Sequence, residues 1–84
     1  VRIDLFLKKV LLVEKRTDAK LMCDKNLVRL NGKYVKPSKS VNIGDIIEIE
    51  SFKGTKKIRI LNIPGGNVGK QDADLYYEEC LGQE

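Results

Sequence analysis

Between Asn26 and Val28 the apolar residues of this chain change their period, and that change constrains the fold more than any other feature. Upstream, Ile3, Phe6, Leu7 and Val10 recur at i, i+3, i+4 and i+7, the spacing of one face of a short helix. Downstream, Val28 and Leu30 alternate with Arg29, as on a strand buried on one side only. Asn31-Gly32 follows at once, a pair of residues that tolerates the left-handed backbone of a tight hairpin turn. Helices therefore come first and strands after, within 84 residues that can bury only one modest core.

A second helix is expected to open at Thr17, an N-cap residue with Asp18 placed to complement the helix dipole. It runs through Lys25, burying Ala19, Met22 and Cys23, and Asn26 stands at the left-handed C-cap position. Lys20 occupies the place where a capping box needs Glu or Gln. Leu11, Leu12 and Val13 break the helical pattern and read as a buried connection.

Beyond the hairpin turn, Tyr34 and Val35 begin a return strand that Pro37 interrupts, so Lys36 to Lys39 read as an exposed basic loop. Asn42 to Asp45 make a turn, and Ile46 to Ile49 a strand with Glu48 and Glu50 outward. Lys53-Gly54-Thr55-Lys56 reads as a polar turn, Lys57 to Ile63 as a further strand and Pro64 to Gly69 as a loop. Ala73, Tyr76, Tyr77 and Cys80 return to helical spacing. The expected architecture is α+β: two N-terminal helices packed on a small, mainly antiparallel sheet, with a C-terminal helix, in one domain over residues 1–84.

Several function classes lack their materials. With no histidine, the commonest general base and every Ser-His or Cys-His pairing are missing, so an enzyme is not expected. Cys23 and Cys80 share no metal-ligand spacing, and they read as two reduced thiols, with a disulfide as the alternative. No metal or cofactor is expected. Gly65-Gly66-Asn67-Val68-Gly69-Lys70 imitates a phosphate-binding loop, but the outer glycines are misplaced and Gln71 stands where a Ser or Thr is required. No apolar run spans a bilayer, and Asp4, Lys8 and Lys9 interrupt what would have to be a leader, so a cytoplasmic location is expected.

Charge is more telling. Residues 1–40 hold eleven Lys/Arg against four Asp/Glu, and residues 41–84 hold five against eight, so the halves carry +7 and −3. A polyanion addressed from one side fits that asymmetry. Lys15 and Arg16 lie at the second helix start, Lys20 one turn on, and Thr17 can face a phosphate oxygen there. Arg29 points off the core face, while Lys33, Lys36 and Lys39 project from the hairpin and its loop. Folded together, these groups make one cationic surface for sugar-phosphate. Aromatic residues are few; Tyr34 is a candidate for stacking, packing being the other reading. Shape and backbone recognition of folded RNA is therefore favoured over base-by-base reading.

The order Arg2-x-Asp4-x-x-Leu7, Lys15-Arg16-Thr17-x-Ala19, Val28-x-x-Asn31-Gly32, Lys36-Pro37-Ser38 and Gly44-Asp45 resembles the RNA-binding domain first seen in ribosomal protein S-four, over residues 2–50. The rest, with Asp72-Ala73-Asp74-Leu75-Tyr76-Tyr77-Glu78-Glu79, is similar to the stand-alone branch typified by the ribosome-associated heat-shock protein fifteen. Leu11 and Glu14 depart from it, standing where that branch often has basic residues, and Asn26 replaces a common glycine. The resemblance implies a non-catalytic, ribosome-associated protein that contacts large-subunit ribosomal RNA and peptidyl-tRNA in the rescue of stalled nascent-chain complexes. It also implies RNA-facing roles for Arg2, Arg16, Thr17, Lys20, Lys36 and Ser38. An intact, monomeric small protein is expected, the alternatives being a protein-interaction adaptor or a unit of a larger RNA-modifying enzyme.

Overall fold

The computed structural model describes residues 1–51, 54–66 and 68–80. Helices α1 (Ile3–Lys9) and α2 (Arg16–Asp24) pack together and cover one face of a five-stranded sheet. The strands are β1 (Val28–Leu30), β2 (Lys33–Tyr34), β3 (Ile46–Ser51), β4 (Gly54–Ile60) and β5 (Tyr77–Glu79). Their order is β2-β1-β3-β4-β5, and every neighbouring pair is antiparallel. The period change thus marks the boundary between the helical layer and the sheet.

Alternation sets the two faces of the sheet. Val28, Leu30, Ile47, Ile49, Ile58 and Ile60 turn inward against Ile3, Phe6, Leu7, Val10, Ala19 and Cys23. Full burial of a side chain such as Phe6 stabilises by about 1.5–3 kcal/mol relative to exposure. Arg29, Glu48 and Lys57 lie across from one another on the open face, as do Arg59 and Glu78. That face is closed by its own ion pairs, Arg59 to Glu78 at 3.3 Å among them.

The Asn31-Gly32 turn forms as expected, with φ of 52° and 85°. Asn31 does more than turn the chain: its Oδ1 accepts the Ile46 N–H at 2.9 Å, tying the hairpin tip to the start of β3. Both helices close in the same way. In α2, Asn26 takes φ 59°, its N–H donating to Cys23 O and that of Leu27 to Met22 O. In α1 the left-handed position is held by Leu11 at φ 65°, while the N–H groups of Leu11 and Leu12 donate to Lys8 O and Leu7 O. This is the Schellman closure, usually made with glycine.

Several expectations need correction. Residues 11–13 are not a buried connection, because the left-handed turn throws Leu11 outward to 45% exposure while Leu12 and Val13 are half-buried. Helix α2 starts two residues early, with Lys15 as N-cap and Thr17 inside the first turn, so Thr17 does not cap it. The strand expected from Lys57 to Ile63 runs from Gly54 to Ile60, so Gly54 to Lys56 belong to β4 rather than to a turn. Lys53, Asn67 and residues 81–84 lie outside the described residues.

The largest difference is the C-terminal helix. Residues Lys70–Leu75 form a 3₁₀ turn, and Tyr77–Glu79 form β5 instead. Strand β4 offers a row of backbone groups on its outer side, and β5 satisfies them by pairing Ile60 with Tyr77, Arg59 with Glu78 and Ile58 with Glu79. Tyr76 O accepts the Leu61 N–H at 2.8 Å, and the Cys80 N–H donates to Lys57 O at 2.7 Å. Edge pairing outweighs a local helical spacing that rests on four residues.

Candidate nucleic-acid interface

The site is built around a buried carboxylate. Asp4 sits in the first turn of α1, fully buried. Its Oδ1 accepts the Leu5 N–H at 2.7 Å. Its Oδ2 accepts from Arg2 Nη2 at 3.1 Å and from Arg16 Nε at 3.3 Å, bringing together arginines from before α1 and from the start of α2. A buried carboxylate demands such partners. Both arginine side chains remain about two-fifths exposed, and each guanidinium carries more donors than Asp4 can accept.

The basic loop is pinned beside them. The N–H groups at the start of α1 have no partner within the helix. Those of Ile3 and Asp4 donate to Lys39 O at 2.7 Å and Pro37 O at 3.3 Å, and the Val41 N–H donates to Val1 O at 2.8 Å. Arg2 pairs with Ser40 in a single antiparallel bridge. The chain through 36–40 is therefore a backbone extension of the helix start, and Lys36, Ser38 and Lys39 stand exposed next to Arg2.

Lys33, Lys36, Ser38 and Lys39 line one open hollow of about 670 Å³ together with Tyr34. A smaller hollow of about 270 Å³ joins Tyr34 and Lys36 to Asp24 and Asn26 at the end of α2. Lys20 is exposed and falls four residues after Arg16 and four before Asp24, on the same flank of α2. Lys15 and Thr17 are exposed at its first turn. Nine of the ten expected site residues thus lie on the helix starts and the hairpin loop.

Arg29 does not join them. It lies on the open face of the sheet, where its Nη2 meets Glu48 Oε2 at 3.4 Å and Glu50 Oε1 at 3.3 Å. Two carboxylates hold that guanidinium, and its carbon sits 5.7 Å from the Tyr34 ring centroid. The cationic surface expected to run continuously through Arg29 stops short of it.

Sequence reasoning missed Asp4 as a working residue. The signal was present: a lone acid beside Ile3 and three residues before Leu7, on the apolar stripe of α1. Cys23, by contrast, borders the smaller hollow from α2 but offers it almost no surface. Its thiol is pushed up to about 11, first by burial and then by the charges of Asp4 and Asp24.

A helix pair with a hairpin, joined through an arginine-bound acid and a basic loop, defines an RNA-binding class, and the chain belongs to the S4 domain family, whose pattern matches residues 1–47. A Helicobacter pylori (strain J99) protein named RQC P-site tRNA stabilizing factor is 46% identical over 77 residues, which cover 90% of this chain and 92% of that one. A protein of the same name from Halalkalibacterium halodurans is 32% identical over 78 residues, covering 93% of this chain and 88% of the relative. The trimeric structure of Vibrio cholerae Heat Shock Protein 15 superposes with a TM-score of 0.90 at 33% identity, over 96% of this chain and 82% of that one.

Proposed function

We propose that this chain is a non-catalytic RNA-binding factor of ribosome quality control, docking on large-subunit ribosomal RNA and on tRNA held there. Residues 1–84 act as one monomeric unit in the cytoplasm, with Arg2, Lys15, Arg16, Thr17, Lys20, Lys33, Lys36, Ser38 and Lys39 as the RNA-facing set. The observation that carries this reading is the sharing of Asp4 between Arg2 and Arg16. One carboxylate fixes two guanidinium forks and leaves the cluster with net positive charge, the arrangement that suits phosphate oxygens. The names of the S4-domain relatives, which specify a P-site tRNA, support the choice of partner. Among the described residues no helix is long and apolar enough to cross a membrane.

Binding to purified large subunits, small subunits and free tRNA across a salt series tests the proposal. Large subunits are expected to bind most tightly, with affinity falling steeply as salt rises. Arg16→Ala is expected to weaken binding and to lower the logarithmic salt slope by just under one, as one phosphate contact is lost. Lys36→Ala, at an exposed site, should weaken binding with an unchanged melting temperature. Salt-sensitive binding to every RNA alike would refute the large-subunit assignment, and binding to none would refute the reading altogether.

A further inference from the structure

Tyr34 is 55% exposed, although a tyrosine ring contributes most to folding when it is buried. It stands on the two-residue strand β2, at the edge of the sheet and next to the hairpin tip, outside the hydrophobic core. The ring is nevertheless held in place. Arg29 lies over one face at 5.7 Å, and Arg29 is itself fixed by Glu48 and Glu50. One face of the ring is thus backed by a rigid cation, and most of the side chain is left open to solvent. The hollow it borders carries Lys33, Lys36 and Lys39, three ammonium groups at the reach of a sugar-phosphate chain.

We propose that Tyr34 stacks an unpaired base of the bound RNA while Lys33, Lys36 and Lys39 hold its flanking phosphates. The inference rests on the RNA-binding reading and adds a ligand class to it. A base inside a duplex has both faces covered by its neighbours, so only a splayed-out base can offer one to a protein ring. Stacking is tolerant of base identity, which suits a hollow lined by ammonium groups, a hydroxyl and the apolar Leu30 and Val35, its one amide, Asn31, being already engaged by Asp45 and the Ile46 N–H. The interface therefore has two parts: Arg2 and Arg16 grip backbone, and Tyr34 marks a position where the RNA is not paired.

Two short blunt-ended RNA duplexes separate these parts, one a fully paired stem and one with a single bulged 2-aminopurine. The intact chain is expected to bind the bulged stem more tightly and to quench its fluorescence as the base leaves solvent for the ring. Tyr34→Ala should lose about fivefold to a hundredfold on the bulged stem. It should leave the paired stem unchanged and abolish the quenching. Tyr34→Phe, which keeps the ring, should retain both. Because the ring lies outside the core, thermal melts of both variants should match the parent. Equal binding of the two stems by the parent, or unchanged quenching in Tyr34→Ala, would overturn this inference alone. Binding to neither stem would overturn the RNA-binding reading and this inference with it.

Discussion

Replacing Asp4 by Asn keeps the shape of the side chain and removes its charge, which separates two roles that Asp4 combines. The Asn oxygen can still accept the Leu5 N–H, but the two arginine contacts at 3.1 and 3.3 Å lose their ionic part. Charge-assisted hydrogen bonds contribute about 1.5–3 kcal/mol each. Both guanidinium groups reach water, so their released donors are resolvated and the figure is discounted. A destabilisation of about 1–3 kcal/mol follows, or a fall in melting temperature of roughly 5–20 °C for a domain of this size. For binding, two effects oppose. Freeing two long side chains adds an ordering cost of about 0.5–1.5 kcal/mol each when RNA binds. Removing a negative charge behind the arginines gains about 1 kcal/mol or less at an effective dielectric between protein surface and water. The ordering cost wins, giving a net loss of about threefold to thirtyfold in affinity at roughly 0.1 M salt. The salt slope should not change, because both arginines still meet their phosphates. Filter binding across a salt series, on protein held below its melting transition, reads both quantities. Tighter binding at every salt would refute the positioning role and reduce Asp4 to a counter-charge, and a shallower slope would show that an arginine contact had been lost.

Two further perturbations follow from the backbone and the core. Leu11→Gly relieves a left-handed residue whose penalty is about 1–2 kcal/mol, against about 0.5–1 kcal/mol of added unfolded-state entropy. Since Leu11 is 45% exposed, a rise in melting temperature of a few degrees is expected, and a fall would show that its packing outweighs its strain. The Cys23 thiol, raised from 9.0 to about 11, ionises in the unfolded chain before it does in the folded one. Its contribution to stability is complete below pH 9 and is lost as pH rises toward 11, with a slope of at most about 1.4 kcal/mol per pH unit. Denaturant unfolding of parent and Cys23→Ala should diverge in slope only across that window, and parallel curves would contradict the assignment.

How much of this was legible in the sequence depends on the range of the interaction. The α1 face, the Asn31-Gly32 hairpin and the left-handed Asn26 are local, each decided by spacing or by one residue's backbone tolerance, and all three stand as read. Strand β5 was not legible, because Tyr77–Glu79 takes its conformation from the unpaired edge of β4, seventeen or more residues away in the chain. Leu11 was unreadable for another reason. Nothing in a leucine announces a left-handed residue, and only the carbonyls of Leu7 and Lys8 waiting at the helix end impose it. The site follows the same rule. Exposed lysines can be chosen from a turn prediction, but the convergence of Arg2 and Arg16 on Asp4 needs the packing of α1 on α2.

Arg29 shows why composition overstates the interface. Every arginine counts equally toward the +7 of the first forty residues, yet folding gives them different net surroundings. Arg2 and Arg16 share one acid, which leaves their cluster at +1; Arg29 meets Glu48 and Glu50, which leaves its cluster at −1. Arg59 with Glu78 and Lys56 with Glu79 are neutral pairs farther along the sheet. A phosphate approaching the open face of the sheet therefore meets no net attraction, whereas one approaching the helix starts meets Arg2, Arg16 and the lysines of the pinned loop together. The acids of the second half neutralise the sheet and leave the helix starts and the hairpin loop as the face that an RNA backbone can approach. What the paired Arg29 retains is a rigid position under Tyr34, and that position matters only if a base occupies the other side of the ring.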